Sequence, residues 1–324
     1  MSDIDSVEHS TSSSSSIDEK LPSRNNLIRG REGVYAVGKT IAQGRYGAVY
    51  EVLRKRDGKP FACKLEVCDT HSHGLDMDYT LMNIASKRGS EHLNWMIDRG
   101  KIEEHFKFLI MPLHGDNLLK VQSLFEDGRF SLSTGLRLGL MTLSALEEIH
   151  NMGFVHRDIK PSNFCFSPSS SSPNFNLILI DYGIARAHVH KNGEVRTPRT
   201  DVRFRGTSRY ASVAAHRGEE QAPKDDLESW LYMIVEWLSG LLPWSSLHKD
   251  NLDDIKKLKE QSHEDDGSEV LLKFCPKVEF RRIMKHLDGL TYRDKPNYSL
   301  LHEILQLAMT NNGVKMDDSF DWLE

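Results

Sequence analysis

Residues 154–164 read FVHRDIKPSNF, with His156, Arg157, Asp158, Lys160 and Asn163 crowded between apolar ends. These types at this spacing suit phosphoryl transfer. Asp158 would accept the proton of an attacking hydroxyl, Lys160 would neutralise charge on the transferring group, and Asn163 would hold a magnesium ion. The competing interpretation is a polar turn. Five specified residue types at fixed offsets would arise by chance with a probability of roughly 10⁻⁴ in a chain of this length, at an average usage of about one in twenty. Three further stretches in chain order weigh against the turn. IAQGRYGAV at 41–49 has the composition of a strand–turn–strand whose backbone could cover ATP phosphates, since Gly44 and Gly47 admit close approach. FACK at 61–64 puts Lys64 inside an apolar strand, where an ammonium needs an anionic partner such as a phosphate. LILIDYGIAR at 177–186 sets Asp181 directly after a buried strand, as a second magnesium donor.

These groups are far apart in the chain, so the elements between them must bring them together. YAVGKTIAQGRYGAVYEVLRK alternates apolar and polar residues from Val34 onward, and FACKLEVC follows the turn RDGKP, which predicts a small antiparallel sheet. LDMDYTLMNIASKR at 75–88 has helical spacing. FKFLIMPL at 106–113 reads as a short buried strand ending at Pro112, where the chain is expected to cross between lobes. LSTGLRLGLMTLSALEEIHNMG then repeats apolar residues at helical intervals and stops at Gly153, opening a helical second lobe. Residues 227–239 are apolar nearly all round and predict a central buried helix; SLLHEILQLAMT at 299–310 predicts an amphipathic one. Residues 1–30, with the run TSSSSS at 11–16, hold too few large apolar groups to offset the entropy of ordering and are expected to form a disordered tail. SPSSSSPN at 167–174 reads as a low-complexity loop; such serine runs are solvated linkers or autophosphorylation sites. Residues 314–324 form a short acidic tail in which Phe320 and Trp322 dock a partner, pack back on the helical lobe, or do neither.

Composition narrows the function classes. A chain of 324 residues with 39% hydrophobic content can bury a large core, and a formal charge of −5 gives no global pull toward nucleic acid or anionic membrane. The four cysteines form no CxxC pair, which suits a reducing compartment. The first ten residues lack a basic and apolar leader pattern, and the most apolar stretch, 227–244, is interrupted by Glu228 and Glu236. The expectation is a cytoplasmic monomer with nuclear access, no nucleic-acid partner and no membrane span.

Taken together, the four motifs resemble a eukaryotic protein kinase, with DYG at 181–183 standing where kinases carry DFG. FRGTSRYAS at 204–212 replaces the usual APE motif. With DDLESW at 225–230, GLLPW at 240–244 and YRDKPNYSLL at 292–301, it is similar to the casein kinase 1 superfamily. GEVRTPR at 193–199 and the wording from STGLRLG to HRDIKPSNF resemble the tau-tubulin kinase branch. The resemblance covers about residues 34–313. It implies an α+β bilobal fold, with a kinase domain over 31–313 split into lobes at about 34–112 and 113–313. It also implies ATP and Mg2+ as cofactors and transfer of the γ-phosphate to Ser or Thr of protein substrates. The ATP contacts it implies are Ile41, Ala42, Gln43, Gly44, Arg45, Tyr46, Gly47, Val49, Ala62, Lys64, Met111, Leu113, Cys165, Ile180 and Asp181, with Asn163 and Asp181 on the metal. Lys160, two residues after Asp158, together with Thr207 of GTSRY is the pattern of Ser/Thr-directed loops.

Departures from the family pattern carry their own expectations. Ala42 replaces the first glycine of the phosphate loop, which should weaken nucleotide binding. Asp78 stands where kinases present a Glu to the strand lysine, shorter by one C–C bond, or about 1.5 Å; it either pairs with Lys64 or is a solvated helix charge. Tyr182 adds a hydroxyl that needs one partner if buried. His156 is expected to be structural, and Cys165 to be an apolar filler under the adenine instead of a reactive thiol. Arginines 196, 199, 203, 205, 209 and 217 face a single acid, Asp201, within their span. Some are expected to pair internally, for example with Glu194 or Asp225. The remainder, with Arg209 and Lys256 assigned to an anion site by resemblance, predict acidic or phosphate-primed substrates. The rival reading is a pseudokinase or scaffold that binds partners with little catalysis, and the presence of Lys64, Asp158, Asn163 and Asp181 speaks against it.

Overall fold

The computed structural model describes residues 19–44, 46–68, 73–167 and 175–323; the serine run at 11–16, Arg45 and the loop at 168–174 lie outside the described residues. The chain divides into two compact units, the first being Met1–Ser86 with Trp95–Leu113 and the second Lys87–Asn94 with His114–Glu324. Residues 87–94, expected in the first lobe, belong to the second unit, and the first unit ends at Leu113.

The first unit is a six-stranded sheet in which every neighbouring pair is antiparallel. Its strands are β1 (Leu27–Arg29), β2 (Val34–Gly44), β3 (Gly47–Arg54), β4 (Pro60–Val67), β5 (Asp98–Ile102) and β6 (Phe106–Pro112), in the order β1-β2-β3-β4-β6-β5. Period-two alternation sends Ala48, Tyr50, Val52, Cys63, Leu65, Phe108 and Ile110 into one buried cluster. The expected tail through residue 30 is corrected at its end. Leu27–Arg29 pairs with Val34–Ala36, and Ile28 is buried in the same cluster. A three-residue edge strand draws its stability from the ladder it joins, which composition does not register. Helix α1 (Gly74–Arg88) connects β4 to β5 and buries Leu75, Asp78, Leu81, Met82 and Ala85, the i, i+3, i+4 stripe of an amphipathic helix with an aspartate in its middle.

The second unit is mainly helical: α2 (Leu118–Gln122), α3 (Leu132–Asn151), α4 (Val213–His216), α5 (Pro223–Ser239), α6 (Leu252–Ser262), α7 (Asp265–Leu271), α8 (Lys277–Asp288) and α9 (Tyr298–Asn311). Helix α5 is its centre, with Trp230, Tyr232 and Trp237 fully buried and the Trp230 indole donating to Gly139 O and Thr142 Oγ1 of α3, both at 3.1 Å. Two short ladders frame the loop at 156–163: β7 (Phe154–Val155) with β10 (Arg186–Ala187), and β8 (Phe164–Phe166) with β9 (Leu177–Leu179). No helix among the described residues is long and apolar enough to cross a membrane.

The C-terminal tail packs back. Phe320 stacks on Trp322 with centroids 4.9 Å apart, and both rings lie against Phe175. Arg137 of α3 lies 3.8 Å above Phe320 and donates to the carbonyls of Asp318 and Ser319 at 2.6 and 2.7 Å. Phe320→Ala should therefore cost about 3 kcal/mol, the low end for emptying a buried aromatic site because a terminal segment can give way. A urea midpoint equal to that of wild type would show that the tail contributes nothing to stability.

Candidate active site

In the first unit five of the expected nucleotide contacts, Ala42, Val49, Ala62, Lys64 and Met111, share one sheet face. Cys63 and Leu65 point into the core, so Ala62 and Lys64 of β4 point the other way, and their direct cross-strand partners are Met111 for Ala62 and Val49 for Lys64; Ala42 in turn opposes Val49. The hairpin closes with Gly44 opposite Gly47, and a Cβ at Gly47 would stand 1.9 Å from Leu65 O, so glycine is obligatory there. Ile41 and Tyr46 keep large side chains exposed beside this hairpin, and Gln43 is exposed as well. Lys64 Nζ lies 2.6 Å from Asp78 Oδ2, and the Asp78 side chain is wholly buried, so Asp78 is an ion-pair partner and not a solvated charge. Its place on the buried stripe of α1 is a sequence signal for this pairing.

The second unit carries the catalytic-loop residues. Asp226, in the first turn of α5, accepts the backbone N–H of His156 at 2.6 Å and of Arg157 at 2.8 Å. Arg157 thereby sits at φ +70°, a left-handed value uncommon for a side-chain-bearing residue. His156 Nδ1 accepts from Asp158 N at 3.2 Å, which leaves the proton on Nε2, 3.1 Å from Ile180 O. The histidine therefore orders the loop through both ring nitrogens. Asp158 is held from two sides: Thr207 Oγ1 donates to Oδ1 at 2.7 Å and Lys160 Nζ lies 2.7 Å from Oδ2, while Lys160 also donates to Thr207 Oγ1 at 3.1 Å.

Asn163 donates its amide N–H to Asp158 O at 2.8 Å, which turns its side-chain carbonyl oxygen away from that bond. Ile180 N donates to Asn163 O at 2.9 Å, so Asp181 is the residue after the one tied to Asn163. Asp181 takes a left-handed φ of +64° and is exposed. An amide oxygen and a carboxylate are the hard donors magnesium prefers, with phosphate and water completing its shell, so this donor set fits the ion. Tyr182 finds two partners for its added hydroxyl, donating to Leu179 O at 2.6 Å and accepting from Asn94 N at 2.8 Å. Leu113 and Ile180 are half-buried. Burial, with Asp116 acting in the same sense, pushes the Cys165 thiol up to about 12, which makes it a filler and not a nucleophile.

The arginine-rich stretch is more internally paired than its sequence indicates. Arg199 pairs with Glu220 at 2.5 Å, Arg209 with Glu236 at 2.6 Å and Arg217 with Glu260 at 2.7 Å, in place of the expected Glu194 and Asp225. Glu194 is bonded to Asn192 and Asp225 to Lys224 and Ala222 N. Lys256, expected beside Arg209 at the anion site, lies 2.9 Å from the exposed Asp253 one turn away on α6. The lysine that reaches the GTSRYAS segment is Lys259, fully buried and donating to Ser208 O at 2.8 Å and Ala211 O at 2.5 Å. Sequence reasoning missed it because KKLKE offers three lysines and nothing local says which one turns inward. Arg196, Arg203 and Arg205 have no carboxylate within ion-pair distance among the described residues.

An aspartate fixed by a lysine and a threonine, with an asparagine five residues on and a second aspartate following a strand, serves phosphoryl transfer to a hydroxyl, and protein kinases are the class built this way. Residues 35–311 match the protein kinase domain family, and the chain belongs to it. It is 35% identical over 297 residues to a probable serine/threonine-protein kinase of Dictyostelium discoideum, covering 92% of this chain and 57% of that protein, so the chain spans little more than half of that relative. It is 31% identical to the serine/threonine-protein kinase spe-6 of Caenorhabditis elegans, over 89% of this chain and 75% of the relative. A probable casein kinase I homolog of Encephalitozoon cuniculi is 33% identical, over 87% and 91%. The kinase domain is of the serine/threonine type.

Because Asp78 already meets Lys64 and has no exposed surface, Asp78→Glu must fit an extra methylene into a filled site. It should cost about 1–3 kcal/mol of stability instead of improving the pair. Asp78→Asn should keep the packing and lose the charge, lowering phosphoryl transfer. Equal unfolding midpoints for wild type and Asp78→Glu would show that α1 has room to move outward.

Lys259 and His263 should tilt the pH dependence of stability in opposite directions. Burial pushes the Lys259 ammonium down to about 7. Burial also works against the His263 charge, but hydrogen bonds to Asp288 and Glu228 outweigh it and hold that imidazolium up, at about 10. Between those values the unfolded lysine binds a proton that the native one lacks, so this group adds stability as pH rises. The native histidine keeps a proton that the unfolded one has lost above ~6.5, so its stabilisation, full below that value, disappears as pH climbs through its folded value. Wild type should be nearly level across this window, Lys259→Met should fall with pH, and His263→Gln should rise. Melting temperatures measured across the window check this, and parallel curves for the three proteins would refute it.

Proposed function

We propose that this chain is an active serine/threonine protein kinase of the casein kinase 1 superfamily, in the tau-tubulin kinase branch, that prefers acidic or phosphate-primed protein substrates. The observation that carries the catalytic reading is the closed triangle of Asp158, Lys160 and Thr207, which presents the Asp158 carboxylate in one orientation. Asp158 accepts the proton of the substrate Ser or Thr hydroxyl as its oxygen bonds to the γ-phosphorus and the bond to ADP breaks. Lys160 is positioned to neutralise charge on the group in transfer, and Lys64, oriented by Asp78, pairs with the ATP phosphates. Asn163 and Asp181 would hold magnesium, which supplies neutralisation of phosphate charge when bound. The superfamily assignment is supported by the FRGTSRYAS wording and by a relative named as a casein kinase I homolog, and the branch assignment by the GEVRTPR wording and that from STGLRLG to HRDIKPSNF.

The substrate preference rests on charge. Arg203 and Arg205 are exposed and Arg196 is half-buried, next to the segment that carries Thr207. Arg209 keeps about half of its side chain exposed while tied to Glu236, so it contributes less free charge than an unpaired arginine. Four free thiols, three of them buried, suit a reducing cytoplasmic setting.

The test measures transfer from ATP to matched peptides bearing phosphoserine, Asp or Ala N-terminal to the target Ser, using wild type, Asp158→Asn and Arg196→Ala/Arg203→Ala. Asp158→Asn should lose at least ~10²-fold in kcat, the scale of a positioned general base. The double variant should keep transfer to the Ala peptide and lose the advantage of the charged ones. Wild type no more active than Asp158→Asn would favour a pseudokinase, and indifference to peptide charge would remove the primed-substrate reading.

A further inference from the structure

One carboxylate in the second unit is surrounded by arginines from three separate stretches of chain. Glu220 lies in the turn before α5 with its side chain 2% exposed. Arg199 grips it in two places, Nε to Oε2 at 2.5 Å and Nη2 to Oε1 at 3.0 Å. Arg186 of β10 approaches Oε2 at 3.3 Å, and Arg157, the residue before Asp158, approaches Oε1 at 3.9 Å. Arg205 adds to the positive field at Arg157. Burial alone would raise the Glu220 carboxyl, yet the Arg199 hydrogen bond and the charges of Arg186, Arg199 and Arg157 hold it below its ordinary value. A bidentate guanidinium–carboxylate pair is a strong, directional contact, and here its carboxylate is buried while Arg199 keeps 44% of its side chain exposed. Remove the carboxylate and the cations that converge on it repel one another at low effective dielectric.

We propose that Glu220 is a positioning residue that takes the place of an activation-segment phosphate. It ties the catalytic loop at Arg157 to the segment between β10 and Thr207, so that the kinase is assembled without modification. This rests on the kinase reading above. Kinase activation segments are commonly ordered when a new phosphate recruits arginines, the one beside the catalytic aspartate among them. Here a genetically encoded carboxylate occupies the point where Arg157, Arg186 and Arg199 meet. The connection to the reacting atoms is short. Gly206, at φ +104°, passes so close to the catalytic loop that a Cβ there would stand 2.6 Å from Arg157 O, and the next residue, Thr207, donates to Asp158. Loosening Arg199 and Arg157 therefore releases the hydroxyl that orients the base.

The experiment uses the full chain, treated with a broad phosphatase, as wild type, Glu220→Gln, Glu220→Ala and Glu220→Asp. Wild type should stay active after dephosphorylation. The Gln and Ala variants should lose ~10²-fold in kcat, the scale of a misplacement of order 1 Å at a reacting group, with the KM for ATP little changed. Glu220→Asp, or acetate added to Glu220→Ala, should restore transfer. Amide exchange through residues 184–206, which needs no catalysis, should quicken in the Gln and Ala variants and not in the Asp variant. Loss of wild-type activity on dephosphorylation would overturn the proposal. So would a soluble Gln variant with wild-type kcat and exchange, or a loss that neither Asp nor acetate reverses. If Glu220→Ala does not fold, the Gln and Asp variants decide by the same criteria. A wild type without any transfer, whose variants still loosen at 184–206, would sink the kinase reading and leave the role of Glu220 standing.

Discussion

The catalytic loop depends on one buried carboxylate, Asp226. It is 1% exposed and stands in the first turn of the most buried helix, where the aligned peptide dipoles favour negative charge. Burial works against its charged form, but His150 Nε2 at 2.8 Å and the N–H groups of His156 and Arg157 outweigh that and hold its carboxyl below the ordinary range. Each of those contacts satisfies a polar group that would otherwise be stranded in the interior, where an uncompensated charge costs about 3–5 kcal/mol. Because Asp226 receives two consecutive backbone N–H groups, the chain is compelled to turn at Arg157 through a left-handed conformation. That turn aims Asp158 at Thr207 and Lys160. The precision of the base is thus inherited from the rigidity of α5.

The same helix organises the stretch that precedes it. Residues 188–212 have little regular secondary structure, so their backbone and arginine groups need side-chain partners. Glu236 takes Arg209 and the Tyr210 hydroxyl, Glu228 takes Val213 N at 2.8 Å and the Tyr232 hydroxyl, and Lys259 supplies donors to the carbonyls of Ser208 and Ala211. The two glutamates that interrupt an otherwise apolar run are therefore anchors for an irregular segment and not breaks in a helix. Polar stitching of this kind is specific about geometry, because a hydrogen bond or ion pair fails with a small displacement where an apolar contact would slide.

In the first unit a different constraint operates. Lys64 and Asp78 form a pair whose acid is sealed by the packing of α1, so the distance from helix to strand is set by the length of an aspartate side chain. The sheet face opposite the core then collects Ala42, Val49, Ala62, Lys64 and Met111 purely through strand register.

The antiparallel strands of the first unit, the helices Gly74–Arg88, Leu132–Asn151, Pro223–Ser239 and Tyr298–Asn311 and the order of the catalytic motifs were legible in the sequence, because strand alternation, helical periodicity and motif spacing are properties of neighbours along the chain, whereas the shorter helices and those between Leu252 and Asp288 were not read from it. His156, Arg157, Asp158, Lys160 and Asn163 fall within eight positions, and so short a span leaves few ways to arrange them. Asp78 was legible too, once its place on the apolar stripe of α1 is counted. Tertiary structure alone decided the partners of the charges. Arg209 meets Glu236 across 27 positions, Arg199 meets Glu220 across 21, and Lys259 instead of Lys256 turns toward Ser208. It also decided that Leu27–Arg29 joins the sheet and that Phe320 and Trp322 close on α3 and Phe175. Like-charged residues a few places apart are interchangeable in sequence. Which of them finds a carboxylate or a carbonyl depends on where packing places each side chain, and that is fixed only when the distant elements meet.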